Sequence, residues 1–117
     1  MLKKIDCVMV KVENLPAATE YYANVFGLKI NWQDETSVGL RFSDGDSEVV
    51  LHRDLNIPVG AEVHYLVEDV LAAIATCEEN GCQILVQPFD IAIGKCAVIK
   101  DPFGKVLALL DMTKGPR

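Results

Sequence analysis

Two histidines and four cysteines are the side chains of this 117-residue chain best suited to nucleophilic, proton-transfer or metal chemistry. Their spacing matches no compact motif. Cys77 and Cys82 are separated by four residues, which is not a zinc-knuckle pair, and no second pair or His-x3-His follows. Activating Cys7 as a nucleophile requires a neighbouring base, and His52 and His64 are the only candidates. No Gly-rich phosphate loop, nucleophile elbow or His-Glu-x-x-His helix occurs. The acidic run through Asp34, Glu35, Asp44, Asp46 and Glu48 reads as a solvated turn face and not as a calcium loop.

Composition narrows the classes further. Half the residues are hydrophobic and 24% are charged, the balance of one compact domain with its own core. Net charge is -6 with no cluster of Lys and Arg, which argues against nucleic acid as a partner. No apolar stretch approaches the ~20 residues of a spanning helix, and the amino terminus runs directly into a strand pattern. The expectation is a soluble, cytoplasmic protein whose cysteines are free and mostly buried.

The elements that must position these residues follow from periodicity. Ile5–Val12 alternates as a strand. Asn14 and Pro16 then signal a helix, with Ala18, Tyr21, Tyr22, Val25 and Phe26 as its apolar stripe and Gly27 as its stop. Strands are expected at 28–33, 37–42 and 48–52, with turn residues between them. After a connector at 53–60 the pattern restarts: a strand at 61–67 and a helix from Val70 to Gly81, with Leu71, Ile74 and Cys77 on one face. Strands follow at 83–89, 96–100 and 106–111. Val12-Glu13-Asn14-Leu15 recurs in pattern 55 residues later as Val67-Glu68-Asp69-Val70. Each half reads strand, helix and three strands, and neither half alone can bury its sheet face.

These residues carry a family resemblance. The two βαβββ halves with their Val-Glu-Asn-Leu and Val-Glu-Asp-Val strand exits resemble the vicinal oxygen chelate superfamily. Tyr21-Tyr22-Ala23-Asn24-Val25-Phe26-Gly27-Leu28 is similar to that superfamily's helix ending. Pro88, Gly94 and Lys100-Asp101-Pro102-Phe103-Gly104-Lys105 are similar to its carboxy-terminal signature. The superfamily includes glyoxalase I, extradiol dioxygenases, fosfomycin-resistance transferases and bleomycin-resistance proteins.

The resemblance implies an α+β fold, with two βαβββ modules forming an open, cup-shaped eight-stranded mixed sheet and helices on its outer face. It implies one domain over 1–117, with modules at about 1–54 and 61–113. Metal-dependent members place four His, Gln or Glu ligands in the cup. Carried over residue by residue, those positions fall on Cys7, near Val50 with His52 one inward step on, on Glu62, and on Ala108. Two are apolar, so the family metal site looks dismantled. By strand alternation Met9, His52 and His64 share the cup face with Cys7 and Glu62.

Two functions follow from the resemblance. The first is a metal-free protein, similar to bleomycin-resistance proteins, that binds a small organic molecule in the cup as a homodimer. Its ligand-binding residues are expected to be Cys7, Met9, Trp32, His52, Glu62, His64, Phe89 and Ala108, with Phe42 also near the mouth. The alternative is a glyoxalase-type lyase, isomerase or dioxygenase. There Glu62 and His64 are catalytic, and Cys7, His52, Glu62 and His64 form an atypical site for Zn, Fe, Mn or Ni. No cofactor is favoured.

Overall fold

The computed structural model of the chain describes residues 1–115 in ten elements. These are β1 (Lys4–Lys11), α1 (Leu15–Asn24), β2 (Lys29–Gln33), β3 (Ser37–Arg41), β4 (Glu48–His52), β5 (Val63–Leu66), α2 (Val70–Glu79), β6 (Gln83–Ile91), β7 (Gly94–Lys100) and β8 (Val106–Leu110). The result is an α+β fold of two helices and eight strands of mixed direction. Among the described residues no helix is long and apolar enough to cross a membrane.

The chain divides into two compact units. One is Asp6–Ile57; the other joins Met1–Ile5 to the chain from Pro58 onward. The expected first module, about 1–54, and the unit Asp6–Ile57 differ at those five residues. The Lys3 N–H donates to the Leu66 carbonyl at 2.8 Å, and side-chain alternation carries no record of which neighbour takes a strand's backbone.

In the first unit the strands lie in the order β2-β3-β4-β1, with β1 and β4 parallel and the other pairs antiparallel. Leu15, Leu28, Val38, Leu40 and Leu51 form its core, and Val10, Val12, Ala18, Tyr22 and Val49 pack against them. Burying a leucine as fully as Leu40 or Leu51 stabilises the fold by roughly 1.5–3 kcal/mol. Helix α1 starts where Asn14 Oδ1 accepts the Ala17 N–H at 3.0 Å. Its buried stripe is narrower than the sequence predicts, because the helix stops at Asn24. Tyr21, Val25 and Phe26 are exposed, and the Phe26 ring stands edge-on to Tyr22 and Tyr21, with centroids 5.0 and 5.5 Å away.

In the second unit the order is β5-β8-β7-β6, again with one parallel pair, β5 and β8. Val67, Val70, Ala73, Ile74, Cys77, Ala97, Ile99 and Leu109 form the core under α2. The stripe therefore runs through Val70, Ala73, Ile74 and Cys77, and Leu71 is exposed rather than part of it.

Asp111 ties this unit together. Its buried carboxylate accepts N–H groups from Val70 at 2.7 Å and Lys95 at 2.9 Å, and the Thr113 hydroxyl at 2.9 Å. One side chain thus joins the start of α2, the start of β7 and the end of β8. Gly94 leaves room for it, since a Cβ there would overlap the carboxylate. Burial pushes the Asp111 pKa up, but the combined hydrogen bonds from Val70, Lys95 and Thr113 outweigh it and hold the carboxyl below its ordinary value.

Candidate functional site

Side-chain alternation gives every strand of the first unit one face toward α1 and one away from it. Val49 and Leu51 pack toward α1, so Glu48, Val50 and His52 occupy the helix-free face of β4. The register sets Cys7, Met9 and Lys11 of β1 beside Glu48, Val50 and His52. From the other side Arg41, Gly39 and Ser37 of β3 meet the same three residues. Cys7, Ser37, Glu48, Val50 and His52 are all buried.

Glu48 is the polar centre of this face. An irregularity between Ile30 and Trp32 breaks the pleat of β2, and two consecutive side chains reach the same carboxylate. Asn31 Nδ2 donates to Oε2 at 2.6 Å and Trp32 Nε1 donates to Oε1 at 3.0 Å. The indole lies across Gly39, where a Cβ would overlap it. The sequence places Glu48 in a solvated acidic run; it is instead 2% exposed, because it opens β4 and points to the helix-free face. Asp34 of the same run caps the β2–β3 turn by accepting the Thr36 and Ser37 N–H groups, each at 2.9 Å. The Thr36 N–H leads in holding its carboxyl below the ordinary value.

His52 is buried, and its Nδ1 has no hydrogen-bond partner among the described residues. Burial lowers its pKa most, nearby Lys11 lowers it further, and Asp54 partly offsets both. A neutral imidazole results.

In the second unit Tyr65 packs with the α2 core, whereas Leu66 packs with Ile93, Cys96 and Leu110. His64 therefore shares the helix-free face with Leu66. Ala108 is its strand neighbour, and Val98 lies beyond Ala108. Phe89 pairs with Cys96 and is 43% exposed. Around His64 this face is apolar, with Leu66, Ala108 and Val98 as neighbours, and Lys100 and Gln83 pair at its far end. Burial pushes the Cys96 thiol up to about 11, which keeps it inert. Glu62, expected on this face, is exposed and precedes β5, which begins only at Val63. The turn at Pro58–Gly60 delays the pleat, so alternation does not extend back to it.

A divalent ion is what this fold's resemblance implies, and equivalent strand positions test the fit. The Val12 N–H donates to the His52 carbonyl and the Val67 N–H to the Leu110 carbonyl, both at 2.8 Å, which aligns the modules. One set of equivalent positions is then Met9, Val50, His64 and Ala108, with a single strong ligand. The other is Cys7, Glu48, Glu62 and Val106, where Glu62 is exposed and Glu48 already accepts from Asn31 and Trp32. Among the described residues no three His, Cys, Asp or Glu side chains are grouped to hold one ion. The donor set does not fit a resident metal of the four-ligand kind.

The sequence model of the Glyoxalase/Bleomycin resistance protein/Dioxygenase superfamily matches residues 4–109. The chain belongs to this superfamily. No curated protein matches the sequence closely enough to count as a relative. Several solved structures share the fold. A Streptomyces coelicolor methylmalonyl-CoA epimerase variant in complex with 2-nitronate-propionyl-CoA is 17% identical, with 97% of this chain and 99% of that one covered and a TM-score of 0.78. A methylmalonyl-CoA epimerase from Mycobacterium tuberculosis is 15% identical over 94% and 88% of the two chains, with a TM-score of 0.80. A hypothetical protein from Bacillus halodurans C-125 is 17% identical over 97% of each, with a TM-score of 0.79. At such identities the likeness is one of fold, and a glyoxalase-superfamily fold hosts many chemistries.

Proposed function

We propose that this protein binds a small organic molecule on the helix-free faces of its sheet and holds no divalent metal of its own. The observation that carries the reading is the Glu48 cluster. The carboxylate is kept in place by Asn31 and Trp32, neutral donors that do the orienting a metal would otherwise do. Beside it in the first unit Met9 and Val50 offer apolar surface, with Trp32 as the larger contact; the second unit, taken by itself, offers Ala108 and Val98 with His64 and Phe89. The reading includes a cytoplasmic homodimer with four reduced thiols, consistent with the exposed apolar groups Tyr21, Val25, Phe26 and Ile30.

The test is metal content by plasma mass spectrometry on protein purified without a His-tag, then reloaded with Zn, Fe, Mn or Ni and desalted. Content far below one equivalent is expected, and near-stoichiometric metal would overturn the reading. The chain holds a single tryptophan, so quenching of Trp32 emission then reports ligands from a small-molecule panel.

His52 supports a second reading, a glyoxalase-type isomerase. A neutral, buried imidazole whose Nδ1 has no partner among the described residues is suited to take a proton. The structures of methylmalonyl-CoA epimerases with their ligands suggest an acyl-CoA thioester as the first compound to try. Incubation with methylmalonyl-CoA in deuterated water would show exchange at the α-carbon if this reading holds, and that exchange would be lost in His52→Gln.

A further inference from the structure

Helix α2 ends in a hydrogen-bonded cap that brings two thiols together. Gly81, at φ +90°, turns the chain back on the helix. Its N–H donates to the Glu78 carbonyl at 3.2 Å, and the Cys82 N–H donates to the Cys77 carbonyl at 3.0 Å. This pair of bonds is the Schellman pattern, in which the side chains two past the cap and three before its end meet across the turn. In most proteins that contact is between two hydrophobes; here the two positions are Cys77, in the core under α2, and Cys82, which packs against that core.

The backbone bond also limits the distance to be bridged. With N and O 3.0 Å apart, standard bond lengths keep the two Cα atoms within roughly 7 Å, the upper edge of the span a disulfide covers. Cys77 is buried in the α2 core, whereas Cys82 packs against that core and is only half-buried.

We propose that Cys77 and Cys82 form a reversible dithiol–disulfide site that takes low-molecular-weight disulfides such as oxidised glutathione. Cys82, as thiolate, attacks one sulfur of the reagent and displaces one thiolate, which leaves a mixed disulfide on Cys82. The displaced thiolate takes the Cys77 proton, and the Cys77 sulfur attacks Cys82 Sγ to release the second thiol. The protein gives up two electrons and two hydrogens, and the reagent becomes two thiols. Burial, foremost, and the neighbouring Cys82 sulfur push the Cys77 thiol up, which suits it to the resolving role and not to first attack. Of the other two cysteines, Cys7 lies on β1, and Cys96 is buried on β7 with its thiol pushed up to about 11. Closing the bond pins the last turn of α2 to the first residues before β6.

The experiment treats the folded, full-length protein with oxidised glutathione, blocks free thiols and maps tryptic peptides without reduction. No Lys or Arg lies between Arg53 and Lys95, so Cys77 and Cys82 share one peptide with no other cysteine. The expected product is that peptide lighter by two hydrogens, with no glutathione attached, and with slower amide exchange at Gly81 and Cys82. Cys77→Ala should instead trap a stable glutathione adduct on Cys82. If that variant fails to fold, Cys82→Ser supplies the check, since Cys77 should then stay unmodified. A wild-type peptide that keeps both thiols, or that accumulates glutathione on Cys82 without closing, would overturn the proposal.

Discussion

The indole of Trp32 fills the space that a side chain on Gly39 would need. Gly39 stands directly across from Trp32 on the neighbouring strand, and the indole passes over it to reach Glu48. A missing side chain on β3 therefore decides where a donor on β2 points.

Gly39→Ala should displace the indole and cost about 1–3 kcal/mol, the usual penalty for overpacking. Denaturant unfolding followed by Trp32 emission measures both effects at once. The folded emission should shift as the Glu48 hydrogen bond is lost; unchanged emission and stability would contradict the geometry.

Asp111→Asn should cost roughly 3 kcal/mol, because an amide NH2 turned toward the Val70 or Lys95 N–H leaves a buried donor without its acceptor. The folded Asp111 pKa lies below its unfolded value. Its contribution is therefore complete above the unfolded value and fades as pH falls through the folded one. The variant should show a shallower loss of stability below about pH 4 than the parent, read from urea midpoints across pH.

His52 acts in a higher pH window. Its folded pKa is lowered, so the unfolded chain binds the proton more readily. Stability should be full above about pH 6.5 and decline as pH falls from there toward the folded pKa. His52→Gln removes that step, and a thermal-unfolding series from pH 7.5 to 5 would reveal it. An identical slope in parent and variant would assign the effect elsewhere.

The two helix caps are equivalent in kind. Asn14 accepts the Ala17 N–H at 3.0 Å and Asp69 accepts the Ala72 N–H at 3.1 Å. Asn14→Ala and Asp69→Ala should each cost about 1 kcal/mol, measured by chemical denaturation.

The sequence by itself determined the element order, because that order rests on local physics. Alternation marks strands, Asn14 and Asp69 mark helix starts, and Gly81 supplies the positive φ that ends α2, whereas α1 stops at Asn24, three residues before Gly27. The family signatures lie in the same local segments, which is why the fold was legible. The strand faces of the candidate residues were legible only in part. Cys7, Met9, His52, His64 and Ala108 fall on helix-free faces as alternation predicts, because each sits inside a regular strand. Glu62 is exposed and precedes its strand, which begins one residue later, so alternation alone does not fix its face. Tertiary structure alone decided the role of Glu48. In sequence it is one acid among several near turns, and only a break in the pleat of β2, a glycine across from Trp32 and the register of β3 on β4 turn it into a buried, doubly held carboxylate. Those are relations between strands, and a strand's own pattern encodes its faces but not its neighbours.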